Sequence, residues 1–278
     1  MLVATVNVNG IRAAARKGMG EWIAYTGADV LLLQEVRAPE ELVADLIGDG
    51  YAIVQQASVL KGRAGVAVAV KAGYAIGRTA LGLNAGLVPD ESGKLAEPAV
   101  DTGRWVEVDI PELGTTFVSA YLHSGVADSE EKMAAKYAHL ERVTERLGQL
   151  KSMRTSDLPH VLVAGDFNIV RTARDIKNWK PNHNKTAGVL DAEIAYLERW
   201  FGELGYVDAH RRVVGDVQGP YTWWSQRGKA FDNDAGWRID YHMTTPALAD
   251  AAIDARVDRA SQYDARWSDH APLVMTYR

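Results

Sequence analysis

Residues 159–168 read PHVLVAGDFN. The run VLVA is apolar, branched and too short for a helix, and Pro159 and Gly165 bound it, so a buried strand is predicted there. Gly165 is expected to let the chain turn and so free Asp166 to project. The other half of the chain opens alike: LVATVN at 2–7 predicts a buried strand running into Asn7 and Asn9. Two strand-rich halves packed face to face put those two turns on one rim. The expectation is an α/β chain with a sheet-on-sheet core and helices outside, forming one domain over residues 1–278.

Working outward, DVLLLQE (29–35) and GVAVAV (65–70) predict further strands. Residues 104–109 and 115–121 predict a hairpin about Leu113-Gly114. Residues 129–151 predict a helix with Met133, Tyr137, Leu140, Leu147 and Leu150 close to one face and Ser129 as its cap. A second helix is predicted over 190–204, with Leu190, Ile194, Leu197 and Phe201 apolar. Later strands are expected near 221–224, 237–243, 252–257 and 272–277. Two long irregular stretches remain, 80–103 and 167–189; the second holds Arg171, Arg174, Lys177, Lys180 and Lys185 with few acids. It reads as a phosphate-facing loop or as a solvated surface loop.

The 278 residues include no cysteine, which excludes disulfides, thiolate metal sites and a cysteine nucleophile. Apolar runs stop far short of a membrane span, and residues 1–10 show no basic region or cleavage pattern, so no signal peptide is expected. A cytoplasmic location is the simplest expectation. The formal charge of −5 argues against a protein that coats DNA. A DNA-processing enzyme with that charge must gather its basic groups where phosphates pass.

Five segments end in oxygen ligands or proton carriers: NVNG (7–10), QE (34–35), GDFN (165–168), GWRIDY (236–241) and SDH (268–270). Glu35 directly follows a buried strand and needs a partner such as a hard cation, unless it is simply a surface carboxylate past the strand end. Asp166 can deprotonate a water and Asn168 can hold a phosphate oxygen; an Asx turn is the plainer alternative. His270 beside a carboxylate such as Asp240 stays protonated and can stabilise a charged phosphate. Tyr121 can bond the phosphate or merely edge the core. Trp223-Trp224 reads as a strand with one ring in and one out, and Trp200 as core. With Trp237 and the following Arg227 and Lys229, the exposed ring suits a sugar or a base.

Taken in order, NVNGIR, LLLQE, GDFNI, YTWWS, GWRIDY and SDHAPL resemble the exonuclease III branch of the endonuclease/exonuclease/phosphatase superfamily. The motifs span residues 7–273. The resemblance implies a four-layer α/β sandwich of two mixed β-sheets packed face to face. It also implies Mg²⁺ or Mn²⁺, and action on double-stranded DNA at abasic sites or 3′ ends. A monomer is expected. Carried over by motif, Glu35 holds the metal with Asn9 near it, and Asp269 contributes a second position. Asp166 activates water, Asn7 orients it, Asn168 and Tyr121 hold the phosphate, and His270 polarises it with support from Asp240. Trp223, Trp237 and Ile239 wall a pocket for an extruded sugar. Apart from the resemblance, Arg171 in the basic loop and Arg227 beside the Trp pair are expected to meet the DNA.

Three positions depart from the family pattern. The chain reads YLHSGVADS after Tyr121, so His123-Ser124 is expected to replace phosphate contacts. Thr186 stands where relatives carry Asn before Ala-Gly, and Asn9 stands where some carry Asp. Two rival readings remain: a phosphomonoesterase or phospholipase acting on a small phosphate ester, which would share Glu35, Asp166 and His270 but against which the Trp pair, the GWRIDY segment and the basic loop argue, and an inactive DNA-binding or scaffold protein, against which the intact set of acids and His270 argues.

Overall fold

The computed structural model describes residues 1–83 and 97–278. Most of the irregular stretch expected at 80–103 therefore lies outside the described residues. Twelve strands are present among those described: β1 (Leu2–Asn7), β2 (Val30–Gln34), β3 (Tyr51–Gln56), β4 (Val66–Lys71), β5 (Thr79–Leu81), β6 (Trp105–Ile110), β7 (Thr115–Tyr121), β8 (His160–Asp166), β9 (Val207–Asp208), β10 (Asp240–Thr244), β11 (Ala252–Val257) and β12 (Leu273–Tyr277). The helices are α1 (Ile11–Arg16), α2 (Met19–Thr26), α3 (Glu40–Ile47), α4 (Glu130–Ser152), α5 (Trp179–Asn182), α6 (Asp191–Phe201), α7 (Ala209–Val214) and α8 (Pro246–Ala251).

The strands form two six-stranded sheets, ordered β11-β12-β1-β2-β4-β3 and β5-β6-β7-β8-β10-β9. Each sheet is mixed, with one parallel pair at its heart: β1 with β2 and β7 with β8. The layers follow from the period-two alternation of side chains along a strand. In the first sheet Val3, Val30, Leu32, Val66 and Val68 face the other sheet. Ala4, Val6, Leu31, Leu33, Ala67 and Ala69 face α1, α2 and α3. In the second sheet Phe117, Leu162 and Ala164 face inward, while Val118, Ala120, Val161 and Val163 meet α4 and α6. Both faces of these strands are covered, which is why they read as unbroken apolar runs. Burying each branched side chain contributes roughly 1.5–3 kcal/mol. The result is the predicted four-layer sandwich.

Several expectations needed adjustment. Residues 221–224 form no strand; Trp223 makes only isolated bridges to Trp237 and His270. The strand expected from 237 starts at Asp240, once the chain leaves those bridges. The segments that became β3, β5 and β9 were not anticipated: β5 and β9 are only three and two residues long. Ser129 does cap α4, accepting from the Lys132 N–H.

Gly165 does not make a turn. It lies within β8, paired with Ala120 of β7, with φ +149. A Cβ there would sit 1.9 Å from the Ala120 carbonyl oxygen. Glycine is needed because two backbones approach closely, just before the positions of Tyr121 and Asp166. Gly165→Ala is therefore expected to lose about 3 kcal/mol or more of stability, read as a lower thermal midpoint. A melting curve matching wild type would contradict this close-approach account.

Candidate active site

The two parallel pairs end on the same rim. β1 and β2 deliver Asn7 and Glu35, and β7 and β8 deliver Tyr121 and Asp166. The start of β10 supplies Asp240, and the segment before β12 supplies Asp269 and His270. Asn7, buried, joins the sheets: its Nδ2 donates to Glu35 Oε1 at 3.0 Å and to Asp166 Oδ2 at 2.9 Å. The Tyr121 hydroxyl donates to Glu35 Oε1 at 2.7 Å. His270 Nδ1 lies 2.9 Å from Asp240 Oδ2, and its Nε2 lies 3.6 Å from Asp166 Oδ2. Asn9 donates through Nδ2 to Asp269 at 2.9 Å, and Trp223 Nε1 donates to the other Asp269 oxygen at 3.2 Å.

Backbone geometry at the site is unusual. Asn9, Glu35 and Asn168 all take positive φ, at 46°, 50° and 52°. Asn tolerates that region, whereas Glu rarely adopts it. Glu35 is held there because its carbonyl accepts from Gly10 N–H and the next residue, Val36, bonds Gly65. Asn168 is fixed by its own N–H to Asp166 Oδ1, the expected Asx contact, and by its side-chain amide on the Leu122 carbonyl. The Asx turn and the placement of Asp166 and Asn168 on the rim thus coexist.

Charge is strongly coupled here. Burial, with the neighbouring Asp240 and Glu35, lifts the Asp166 carboxyl to about 7, against the opposing pull of His270 and the Asn7 hydrogen bond. Burial alone would depress His270, but Asp240 and Asp166 override it and raise the imidazole to about 10. The Tyr121 hydroxyl is pushed well above its ordinary range by burial and by Glu35 and Asp166. Near neutral pH the site therefore offers a base on the edge of ionisation beside a charged imidazolium.

The donor set around Glu35 fits a hard divalent cation. Its carboxylate is oriented by Asn7 and Tyr121, and its second oxygen takes the Arg37 guanidinium. Glu35 thus already accepts a positive charge, from a side chain 39% exposed. Asn9 and Asp269 add only oxygen and amide groups, the kind Mg²⁺ and Mn²⁺ select.

A cleft of about 440 Å³ opens beside this centre, lined by Asn168, Lys185, Thr186, Trp223, Trp237 and Ile239. The two indoles meet edge to face, 5.5 Å apart at 80°. Trp224 turns inward and is buried, as is Trp200. Thr186 therefore lines the wall at the departure from the family pattern.

Other expected residues are not brought to the site. Arg171 pairs with Glu198 at 2.7 Å and stacks over Phe201, because α6 offers it a partner. Arg174 pairs with Asp216. The basic loop consequently sends Lys185 to the cleft but not these two arginines. Arg227 stands exposed beyond Trp224 and does not line the cleft. His123 is turned to Asp101 at 2.6 Å, while Ser124 lines the cleft with Asn168.

Sequence reading also missed supporting residues. Gln34 and Ser119 tie the sheets together just behind Asn7, at 3.0 Å. Lys136, fully buried on α4, donates to the Ser124 and Asn168 carbonyls at 3.1 Å and pairs with buried Glu193 at 2.5 Å. A lysine three residues past Met133 on a mostly polar helix gave no signal of this. Arg238, in the GWRIDY motif, is buried between Asp175 and Asp208 and anchors the strand carrying Ile239 and Asp240.

The model of the Endonuclease/Exonuclease/phosphatase family matches residues 4–270, and the chain belongs to that family. It is 31% identical over 271 residues to an exodeoxyribonuclease of Bacillus subtilis, covering 97% of this chain and 96% of the relative. It is 26% identical to a DNA-(apurinic or apyrimidinic site) endonuclease of Dictyostelium discoideum, covering 98% of this chain and 69% of that protein. Among solved structures, an AP endonuclease from Archaeoglobus fulgidus matches with a TM-score of 0.82 at 26% identity. The 3′-5′ exonuclease NExo from Neisseria meningitidis matches at 0.83 and 26%. Both cover 100% of this chain and 99% of their own.

Two outcomes are expected. Turnover should rise as Asp166 loses its proton near pH 7 and fall as His270 loses its own near pH 10. A cation held by Glu35 would move the lower limb further down. Asp240→Asn removes a charge that raises both groups, so a pH–rate profile should show both limbs shifted to lower pH. An unmoved upper limb would exclude the His270–Asp240 coupling. Separately, Lys136→Met strands buried Glu193 and should cost about 3–5 kcal/mol, measured by denaturant melts.

Proposed function

We propose that this protein is a divalent-metal-dependent DNA phosphodiesterase of base-excision repair. It incises 5′ to abasic sites, or removes nucleotides and blocking groups from 3′ ends, and acts as a monomer on double-stranded DNA. The observation that carries this reading is the buried Asn7–Asp166–His270–Asp240 chain opening onto an aromatic cleft. The relatives named exodeoxyribonuclease and apurinic-site endonuclease support the same substrate class.

In this mechanism the scissile phosphate lies between Asn168, Tyr121 and His270. Asp166, held by Asn7, takes a proton from water as its oxygen attacks phosphorus in line with the leaving 3′-oxygen. The His270 imidazolium and the Asn168 amide stabilise the added negative charge. A cation held by Glu35, with Asn9 and Asp269 nearby, would neutralise charge on the phosphate and the leaving oxygen. Trp223, Trp237 and Ile239 pack on the deoxyribose of the target nucleotide, which leaves the duplex to reach them.

Rates on an abasic duplex, a recessed-end duplex and an inositol phosphate, with Mg²⁺ and with EDTA, test this. DNA cleavage in Mg²⁺ alone is expected. Asp166→Asn should slow it about 10²–10⁴-fold while leaving DNA affinity close to wild type. Trp237→Ala should weaken abasic incision more than end digestion. Preferred hydrolysis of the inositol phosphate would instead establish the small-ester reading.

A further inference from the structure

A second cluster of ligand-type side chains lies outside the chemistry above. Asp101 comes from the turn before β6, His123 from the exit of β7, and His139 from the middle of α4. His123 Nε2 lies 2.6 Å and His139 Nδ1 3.4 Å from the same Asp101 oxygen, Oδ1. One ligand atom from each residue falls within 4.8 Å of the others. The Arg142 guanidinium lies against the other carboxylate oxygen, Oδ2, and leaves Oδ1 facing the imidazoles. The two rings meet edge to face, 4.9 Å between centroids.

His139, like His210, is a buried imidazole with unmet bonding, and of the two it is the one that lies against a carboxylate and a second histidine. It is fully buried, yet neither ring nitrogen has a hydrogen-bond partner among the described residues. A neutral imidazole carries one donor and one acceptor, and buried polar groups are normally satisfied. A cation at the centre of the three would use the lone pair now unmatched. His123 borders a second cavity of about 390 Å³, lined also by Ser58, Arg104 and Ser124, which offers a way in.

We propose that Asp101, His123 and His139 form a second cation site, suited to a borderline ion of the Zn²⁺ kind, with a remaining position open to this cavity. Two imidazoles and one carboxylate are a common Zn²⁺ donor set, whereas Mg²⁺ selects oxygen alone. The site is thus chemically distinct from Glu35 and shares no residue with it. Burial, with help from Arg104 and Lys136, keeps both imidazoles neutral, the form that ligates. The same positive charges oppose an added cation, so binding is weaker than in a closed structural zinc site. Occupation joins α4 to the chain two residues past Tyr121.

The test uses chelator-treated full-length protein. Zn²⁺ is titrated calorimetrically in excess Mg²⁺, and Co²⁺ serves as a visible-absorbance probe of a four-coordinate site. Wild type and Glu35→Gln should each bind one Zn²⁺ saturably. His123→Ala and His139→Asn should bind it at least about tenfold more weakly, with melting curves confirming that they fold. If His139→Asn does not fold, the partly exposed His123 decides. Absence of saturable Zn²⁺ binding in wild type, or binding unchanged in folded His123→Ala, overturns the proposal. Binding lost in Glu35→Gln but kept in the histidine variants assigns the ion to the Glu35 centre and also overturns it.

Discussion

The Asn7 side-chain amide bonds one carboxylate from each sheet, Glu35 and Asp166, at the junction of the sandwich. An amide N–H₂ has two donors, and both are used to bridge the two sheets. Behind it, Gln34 and Ser119 add a second polar tie. The apolar layer between the sheets sets their spacing; these few polar contacts set their register at the rim. Two acids, one from each sheet, are thereby held to a single amide at the rim.

That closeness has an electrostatic consequence. A carboxylate taken out of water ionises reluctantly, and each neighbouring acid makes it more so. His270 is the compensating charge. Flanked by Asp166 and Asp240, it is more easily protonated than any exposed histidine. Base and imidazolium stabilise each other's states, so the group behaves as one coupled unit rather than as separate side chains.

Around this centre, buried ion pairs hold loops that have no sheet to support them. Lys136 with Glu193 pins the Asn168 segment to α4 and α6. Arg238 with Asp175 and Asp208 pins the segment leading into β10. Such pairs contribute little net stability, because each charge is desolvated. Their directional bonds do fix one arrangement of irregular chain.

The sequence by itself determined the layered architecture, since unbroken apolar strands such as VLVA and VLLL leave no solvent-facing side and demand covering on both. It also marked Asn7, Glu35, Tyr121, Asp166, Asp240 and His270, because polar groups at or next to the ends of buried strands stand out against apolar runs. Only the tertiary structure decided which cations reach the cleft. Arg171 and Arg174 found carboxylates on outer elements, Lys185 did not, and His123 turned to Asp101. It likewise decided that Gly165 serves close strand packing rather than a turn. Apolar patterning is written in local periodicity, whereas the partner of a long charged side chain depends on which distant surface the fold brings within a few ångströms.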